Sequence, residues 1–163
     1  EGTKCKILDT RKTVPGFRLI DKYSVAAGGG TNHRMGLNDM VLIKDNHRKL
    51  WKGGDPNRLD QAVAAARAKF PNVPVEVEVE TFEELASALE GKPEWIMLDN
   101  MSPAKMKEAV AIVGGRCKLE ASGGISMETI HNVAESGVDA ISLGCLTHSV
   151  KAADLSLEIV EGL

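Results

Sequence analysis

Val73–Glu80 reads VPVEVEVE, and from Val75 onward valine and glutamate alternate without interruption. Successive side chains of a strand point to opposite faces. Val75, Val77 and Val79 therefore share one face, and Glu76, Glu78 and Glu80 the other. In a flat sheet this pattern describes an edge strand with one face in water, where charge blunts unwanted pairing. In a sheet that curls into a (β/α) barrel, the same glutamates point into the lumen and need cations or a metal to share their charge. What the neighbouring strands carry decides between the two.

Upstream, Lys6–Leu8 reads as a short strand leading into the polar loop Asp9–Thr13 and the turn Val14-Pro15-Gly16. Phe17, Ile20, Tyr23 and Ala27 have helical spacing, and an apolar strand covers 40–44. Asp55-Pro56 carries a helix-start signal, which predicts a helix over 56–69. Downstream, Thr81-Phe82-Glu83-Glu84 caps a helix to Glu90, and Ser102-Pro103 opens one to Val113. Trp95–Asp99, Lys118–Ser122 and Asp139–Leu143 read as strands, and 126–136 and 152–161 as helices. Six strands alternating with helices predict an α/β chain with a parallel sheet. A doubly wound sheet would show near-continuous apolar strands. Here Asp9, Lys44, Glu76, Glu78, Glu80, Asp99 and Glu120 bring charge to strand ends, which converge on the active-site rim of a barrel. Six units fall short of eight. The expected fold is an open or incomplete TIM-like barrel, with residues 1–163 as a single domain.

Composition excludes several classes of function. Hydrophobic residues make up 43% and charged residues 26%, as in ordinary globular proteins. No apolar run approaches the roughly 20 residues of a membrane span, and no signal peptide is present, so a cytoplasmic setting is expected. Cys5, Cys117 and Cys145 are odd in number and far apart, and read as reduced packing residues. Residues 1–50 carry a net +5 and the remainder −8. A basic first third on an acidic chain suits a small acidic substrate rather than nucleic acid.

The basic groups in question are Arg11, Lys12, His33, Arg34 and Lys44, the middle pair following the glycine run Gly28–Gly30. Lys44 ends an apolar strand, where an unpaired ammonium is costly, so it needs a carboxylate or an anionic ligand. It could also serve as a Schiff-base amine in a lyase or aldolase. Glu78 with Asp99 offers a site for Mg²⁺ or for stabilising a cationic sugar carbon. Ser122-Gly123-Gly124 and Leu143-Gly144 end consecutive late strands, the position of the phosphate corner in many barrels, and His148 lies just beyond. A non-catalytic anion-binding module is a further alternative.

Taken together and in order, DTRKTVPGFR at 9–18, GGGTNHR at 28–34, LIKDNH at 42–47, VEVEVE at 75–80, MLDN at 97–100, LEASGGI at 119–125 and SLGCLTHS at 142–149 resemble quinolinate phosphoribosyltransferase. The resemblance implies phosphoribosyl transfer from phosphoribosyl pyrophosphate to the ring nitrogen of quinolinate, with decarboxylation to nicotinate mononucleotide in NAD biosynthesis. By the same resemblance, Arg11, His33 and Arg34 hold the quinolinate carboxylates, and Lys12 and Lys44 serve the pyrophosphate. Glu78 and Asp99 face the ribose and Mg²⁺, while Ser122, Gly123, Gly124, Gly144 and His148 surround the 5′-phosphate. It further implies an N-terminal domain that this chain lacks, and a homodimer or higher homo-oligomer in which that domain roofs the partner's site and adds an arginine.

Overall fold

The computed structural model describes residues 2–160 and 162. Six parallel strands form its one sheet among the described residues: β1 (Lys6–Leu8), β2 (Val41–Ile43), β3 (Val75–Val79), β4 (Trp95–Asp99), β5 (Lys118–Ser122) and β6 (Ala140–Ser142). Their order is β1-β6-β5-β4-β3-β2. The helices are α1 (Arg18–Ala27), α2 (Asp45–Leu50), α3 (Leu59–Lys69), α4 (Phe82–Glu90), α5 (Pro103–Val113) and α6 (Ile130–Ala134).

The valine–glutamate strand β3 is no edge. It pairs with β2 on one side and β4 on the other, Val77 standing opposite both Ile43 and Ile96. Both of its faces are buried. Val75, Val77 and Val79 join Ile96, Leu98, Leu119, Ala121 and Ile141 against Leu59, Val63, Leu85, Met106 and Val113 of the helices. The alternate residues Glu76, Met97, Glu120 and Ala140 are buried as well, yet stand outside that cluster. They fill a second interior on the inner face of the sheet. Glu80, expected in the lumen with them, lies past the end of the strand and is exposed.

One contact shows that the sheet curls. The segment beside β1 brings His33 to within 3.2 Å of Glu76 on β3 and 3.1 Å of Glu120 on β5. In a flat sheet of this order, β1 and β3 would stand roughly 20 Å apart at ~4.8 Å per strand. The barrel is open between β1 and β2, and Gly30–Arg34 occupies that seam. Thr31 donates its N–H to Ile7 O at 2.8 Å and accepts from Asp9 N–H at 3.2 Å, a single parallel bridge onto β1.

Caps follow the sequence where their side chains are right. Thr81 accepts from Glu84 N–H at the start of α4, and Ser102 from Lys105 N–H at the start of α5. Elsewhere local signals were overridden. Asp55-Pro56 makes a turn in which Asp55 O accepts from Arg58 N–H at 3.0 Å, so α3 begins at Leu59. α2 was not anticipated; it starts where the His47 ring accepts the Lys44 N–H at 3.1 Å. α6 is shorter than the 126–136 span. The apolar stripe of α1 faces outward, with Ile20 58% and Tyr23 74% exposed, while Lys22 and Val25 turn inward. Residues 152–160 are not helical, and Glu161 lies outside the described residues. Leu155, Leu157 and Ile159 are all at least 87% exposed there. A short helix without a packed face is marginal in water. Cys5 and Cys117 are half-buried, and burial pushes both thiols up to about 11, as suits packing residues. Cys145 is exposed.

Leu98→Ala, which opens a cavity in the outer core where Leu98 is fully buried, should lower unfolding free energy by about 2–5 kcal/mol in urea titrations. Leu155→Ala should change it by less than about 0.5 kcal/mol, because its side chain is already in water.

Candidate active site

The C-terminal mouth of the barrel holds two adjoining hollows. One, of about 250 Å³, is walled by Arg11, Lys12, His33, Arg34, Lys44 and Glu120, among others. The second, of about 420 Å³, is walled by Lys12, Asp99, Ser122, Gly123, Gly124, Gly144 and His148. Thr10, Lys12, Ser122 and Ser142 belong to both walls. Every candidate from the sequence thus lies in these walls except Glu78, which reaches them through Lys44. A larger hollow of about 780 Å³ lies at the opposite ends of the strands. Two of its three cations are otherwise engaged: Arg116 donates to Val113 O and Ile112 O, and Lys118 stacks on Trp95, while Lys92 is exposed to solvent.

Arg11 and Arg34 give the first hollow its character. Among the described residues neither meets a carboxylate; the Arg34 guanidinium donates to Met40 O at 2.9 Å. Burial, then the nearness of Arg11, lowers the Arg34 pKa. Two guanidiniums held together in a partly dry pocket are an unfavourable arrangement that an anion relieves, and a planar carboxylate suits their paired donors.

Beneath them the charge reverses. Glu76 is fully buried with no hydrogen-bond partner on either oxygen, and Glu120 Oε1 is likewise unpartnered. His33 Nε2 stands between the two acids. Burial opposes charge on the ring, but the carboxylates of Glu120 and Glu76 beside it, at 3.1 and 3.2 Å, outweigh it and raise the His33 pKa. Burial likewise raises Glu76 to about 7. In the neutral ring, Arg34 N–H donating to His33 Nδ1 at 2.7 Å places the lone pair there and leaves Nε2 with the proton aimed at the acids. Both ring nitrogens are taken by protein groups, and the ring belongs to the floor of the pocket.

Lys44 finds the partner its position demanded: Nζ lies 2.5 Å from Glu78 Oε2, with the lysine 41% and the glutamate 9% exposed. An ion-paired ammonium is a poor nucleophile, which removes the basis for a Schiff-base role. Asp99 ends the next strand, half-buried, with Oδ2 accepting from Asn100 Nδ2 at 2.8 Å. Glu78 and Asp99 offer hard oxygen donors at neighbouring strand ends, a set that fits Mg²⁺ completed by substrate oxygens.

The second hollow is built on backbone. Gly123 has φ +97°, and a Cβ there would strike the backbone N and side chain of Asn100. A Cβ on Gly144 would strike the His148 ring. Among the described residues the N–H groups of Gly123 and Gly124 donate to no protein acceptor, which leaves them open to an anion.

The sequence profile described as "Quinolinate phosphoribosyl transferase, C-terminal domain" matches residues 1–158. The chain belongs to this family. It is 47% identical to the chloroplastic nicotinate-nucleotide pyrophosphorylase (carboxylating) of Arabidopsis thaliana, over 94% of this chain and 48% of that protein. It is 45% identical to the nicotinate-nucleotide pyrophosphorylase (carboxylating) of Mycobacterium leprae, over 97% of this chain and 55% of that protein. The solved nicotinate-nucleotide pyrophosphorylase of Francisella tularensis superposes with a TM-score of 0.88 at 47% identity, covering 94% of this chain and 53% of that one. The chain thus spans about half the length of the curated relatives it matches.

Two features of the site escaped sequence reasoning: the pairing of Glu76 with Glu120 around His33, and the burial of Lys22 behind the seam. The first needed the curl of the sheet. The second had a signal, a lysine among apolar residues of α1, that spacing alone did not resolve.

Because native Glu76 holds a proton that the unfolded chain releases in the ordinary glutamate range, its contribution to stability is full below that range. It is lost as pH rises through about 7. Urea titrations between about pH 5 and 8 should show stability falling with pH, and Glu76→Gln should flatten that slope.

Proposed function

We propose that the protein carrying this chain transfers a phosphoribosyl group from phosphoribosyl pyrophosphate to the ring nitrogen of quinolinate and then releases CO₂, giving nicotinate mononucleotide and pyrophosphate for NAD biosynthesis. The observation that carries this reading is the pair of guanidiniums, Arg11 and Arg34, facing one pocket with no carboxylate of the described residues in ion-pair contact with either. A vicinal pyridine dicarboxylate supplies two carboxylates on one small plane. Lys12, on the wall shared with the glycine corner, sits where the pyrophosphate would lie. The corner of Ser122, Gly123, Gly124 and Gly144, with His148 beside it, takes the 5′-phosphate through backbone N–H groups.

Between the two hollows, Glu78 and Asp99 face the sugar. As the bond to pyrophosphate lengthens, positive charge grows on the anomeric carbon, and fixed carboxylates stabilise it without reorganising. Lys44 holds Glu78 in place for that task. Mg²⁺, held by Glu78 and Asp99, would neutralise charge on the departing pyrophosphate. Transfer leaves the ring nitrogen cationic, and that nitrogen is the electron sink for loss of CO₂; no protein nucleophile is needed.

Two further elements belong to this proposal. No helix of the described residues is long and apolar enough to cross a membrane, and a cytoplasmic setting accords with that. A homo-oligomer accords with the outward stripe of α1, where Phe17, Leu19, Ile20 and Tyr23 are 51–74% exposed; contiguous apolar patches of this kind mark interaction surfaces.

Arg34→Ala should weaken quinolinate binding by about 2–4 kcal/mol, because a partly buried carboxylate loses its charged partner; an unchanged dissociation constant in calorimetry would remove Arg34 from the site. Glu78→Gln should depress formation of nicotinate mononucleotide by about 10²-fold or more while sparing quinolinate affinity. Full turnover in that variant would remove Glu78 from the mechanism.

A further inference from the structure

Behind the seam lies an ion pair with almost no exposure. Lys22 of α1 places Nζ 2.5 Å from Asp9 Oδ1, with the two side chains 1% and 0% exposed. Each carboxylate oxygen of Asp9 is in use. Oδ1 also accepts the His33 N–H at 2.8 Å, and Oδ2 accepts from Asn32 Nδ2 at 2.6 Å. The Lys22 ammonium in turn donates to His33 O at 3.0 Å. Asn32 closes the ring by donating to Lys22 O at 2.8 Å.

His33 is therefore gripped from both sides: its N–H rests on the anion of the pair and its C=O on the cation. Past the bridge between Leu8 and Thr31, side chains replace the strand ladder in holding this backbone. The gripped residue sends its ring to Glu76 and Glu120, and the next residue is Arg34, whose N–H lies on that ring. The Arg34 guanidinium has one protein bond of its own, to Met40 O. Where it stands is thus set chiefly by the backbone that the ion pair holds.

Stability does not explain the arrangement. A buried ion pair is often replaced by apolar residues without loss, yet α1 exposes Leu19, Ile20 and Tyr23 while turning Lys22 inward. We infer that the buried Asp9–Lys22 pair is a positioning device: by clamping the His33 peptide it fixes the Arg34 guanidinium and so sets the affinity of the site for the acid substrate. Asp9, Lys22 and Asn32 touch no ligand in this role. They act on the carboxylate end of the site and leave the glycine corner alone, since none of their bonds reaches β5 or the loop after β6. The inference rests on the proposed function for the identity of the acid, not for the clamp itself.

The test compares two ligands and one ligand-free signal in Lys22→Met, whose stem matches that of lysine. Calorimetry should show quinolinate binding weakened at least about tenfold, as expected when a charged partner is displaced. Ribose 5-phosphate, the probe for the glycine corner, should bind within about twofold of wild type. Without ligand, NMR should show the His33 imidazole N–H exchanging at least about tenfold faster, through local opening of the seam. Unchanged quinolinate affinity, or equal loss of both ligands in a folded variant, would overturn the inference. Should Lys22→Met fail to fold, Asn32→Ala keeps the pair but opens its ring, and is judged by the same ratio of the two affinities. A wild-type protein that binds no quinolinate would overturn the proposed function; the clamp would then stand or fall on the imidazole exchange rate, unchanged protection in the variant being the result against it.

Discussion

The His33 imidazole between Glu76 and Glu120 joins the seam of the barrel to two strands that a flat sheet would keep far from it. Without that proton-bearing ring, two carboxylates would face each other in a dry lumen, and one would lose the last donor within reach. With it, the inner face of a parallel sheet can carry acids where most sheets carry aliphatic side chains. The barrel can then be both packed and polar. Its outer core of valine, leucine and isoleucine supplies stability, and its inner layer is left to hold charge in fixed places.

Charge is arranged in layers along the barrel axis. Acids around the His33 ring form the floor, guanidiniums without an ion-pair contact the middle, and an ammonium–carboxylate pair with glycine backbone the rim. Under the proposed function each layer takes a different part of one ligand set: a small aromatic acid on the guanidiniums, a sugar against Glu78 and Asp99, a phosphate on the glycine corner. The relatives are about twice as long as this chain.

Much of this was legible in the sequence, because it follows from periodicity and from residue chemistry. Alternation in VEVEVE gave two faces, charged strand ends implied a converging rim, and Thr81 and Ser102 capped the helices their spacing announced. Lys44 required a partner, and Glu78 is that partner. The misses have a common cause. α1 was read from its apolar stripe, but its orientation was decided by one lysine answering one aspartate across the seam. The pairing of Glu76 with Glu120 around His33 goes unseen in the sequence, because the lumen that encloses the ring exists only once β3 and β5 curve toward the β1 edge. Asp55-Pro56 satisfied a local helix signal and formed a turn instead, as Asp55 O caught the Arg58 N–H. Residues 152–160 show the limit most plainly: spacing cannot report whether a segment will find a surface to pack against.

The central claim is that the pocket between Arg11 and Arg34 is built for two carboxylates on one ring. Titrating quinolinate and nicotinate side by side into the same protein tests it most directly, since the two acids differ by one carboxylate and share everything else. Quinolinate should bind at least about thirtyfold more tightly, the equivalent of roughly 2 kcal/mol for one charged pair. Equal affinities would mean that the second guanidinium meets no carboxylate, and the account of the site would be wrong at its centre.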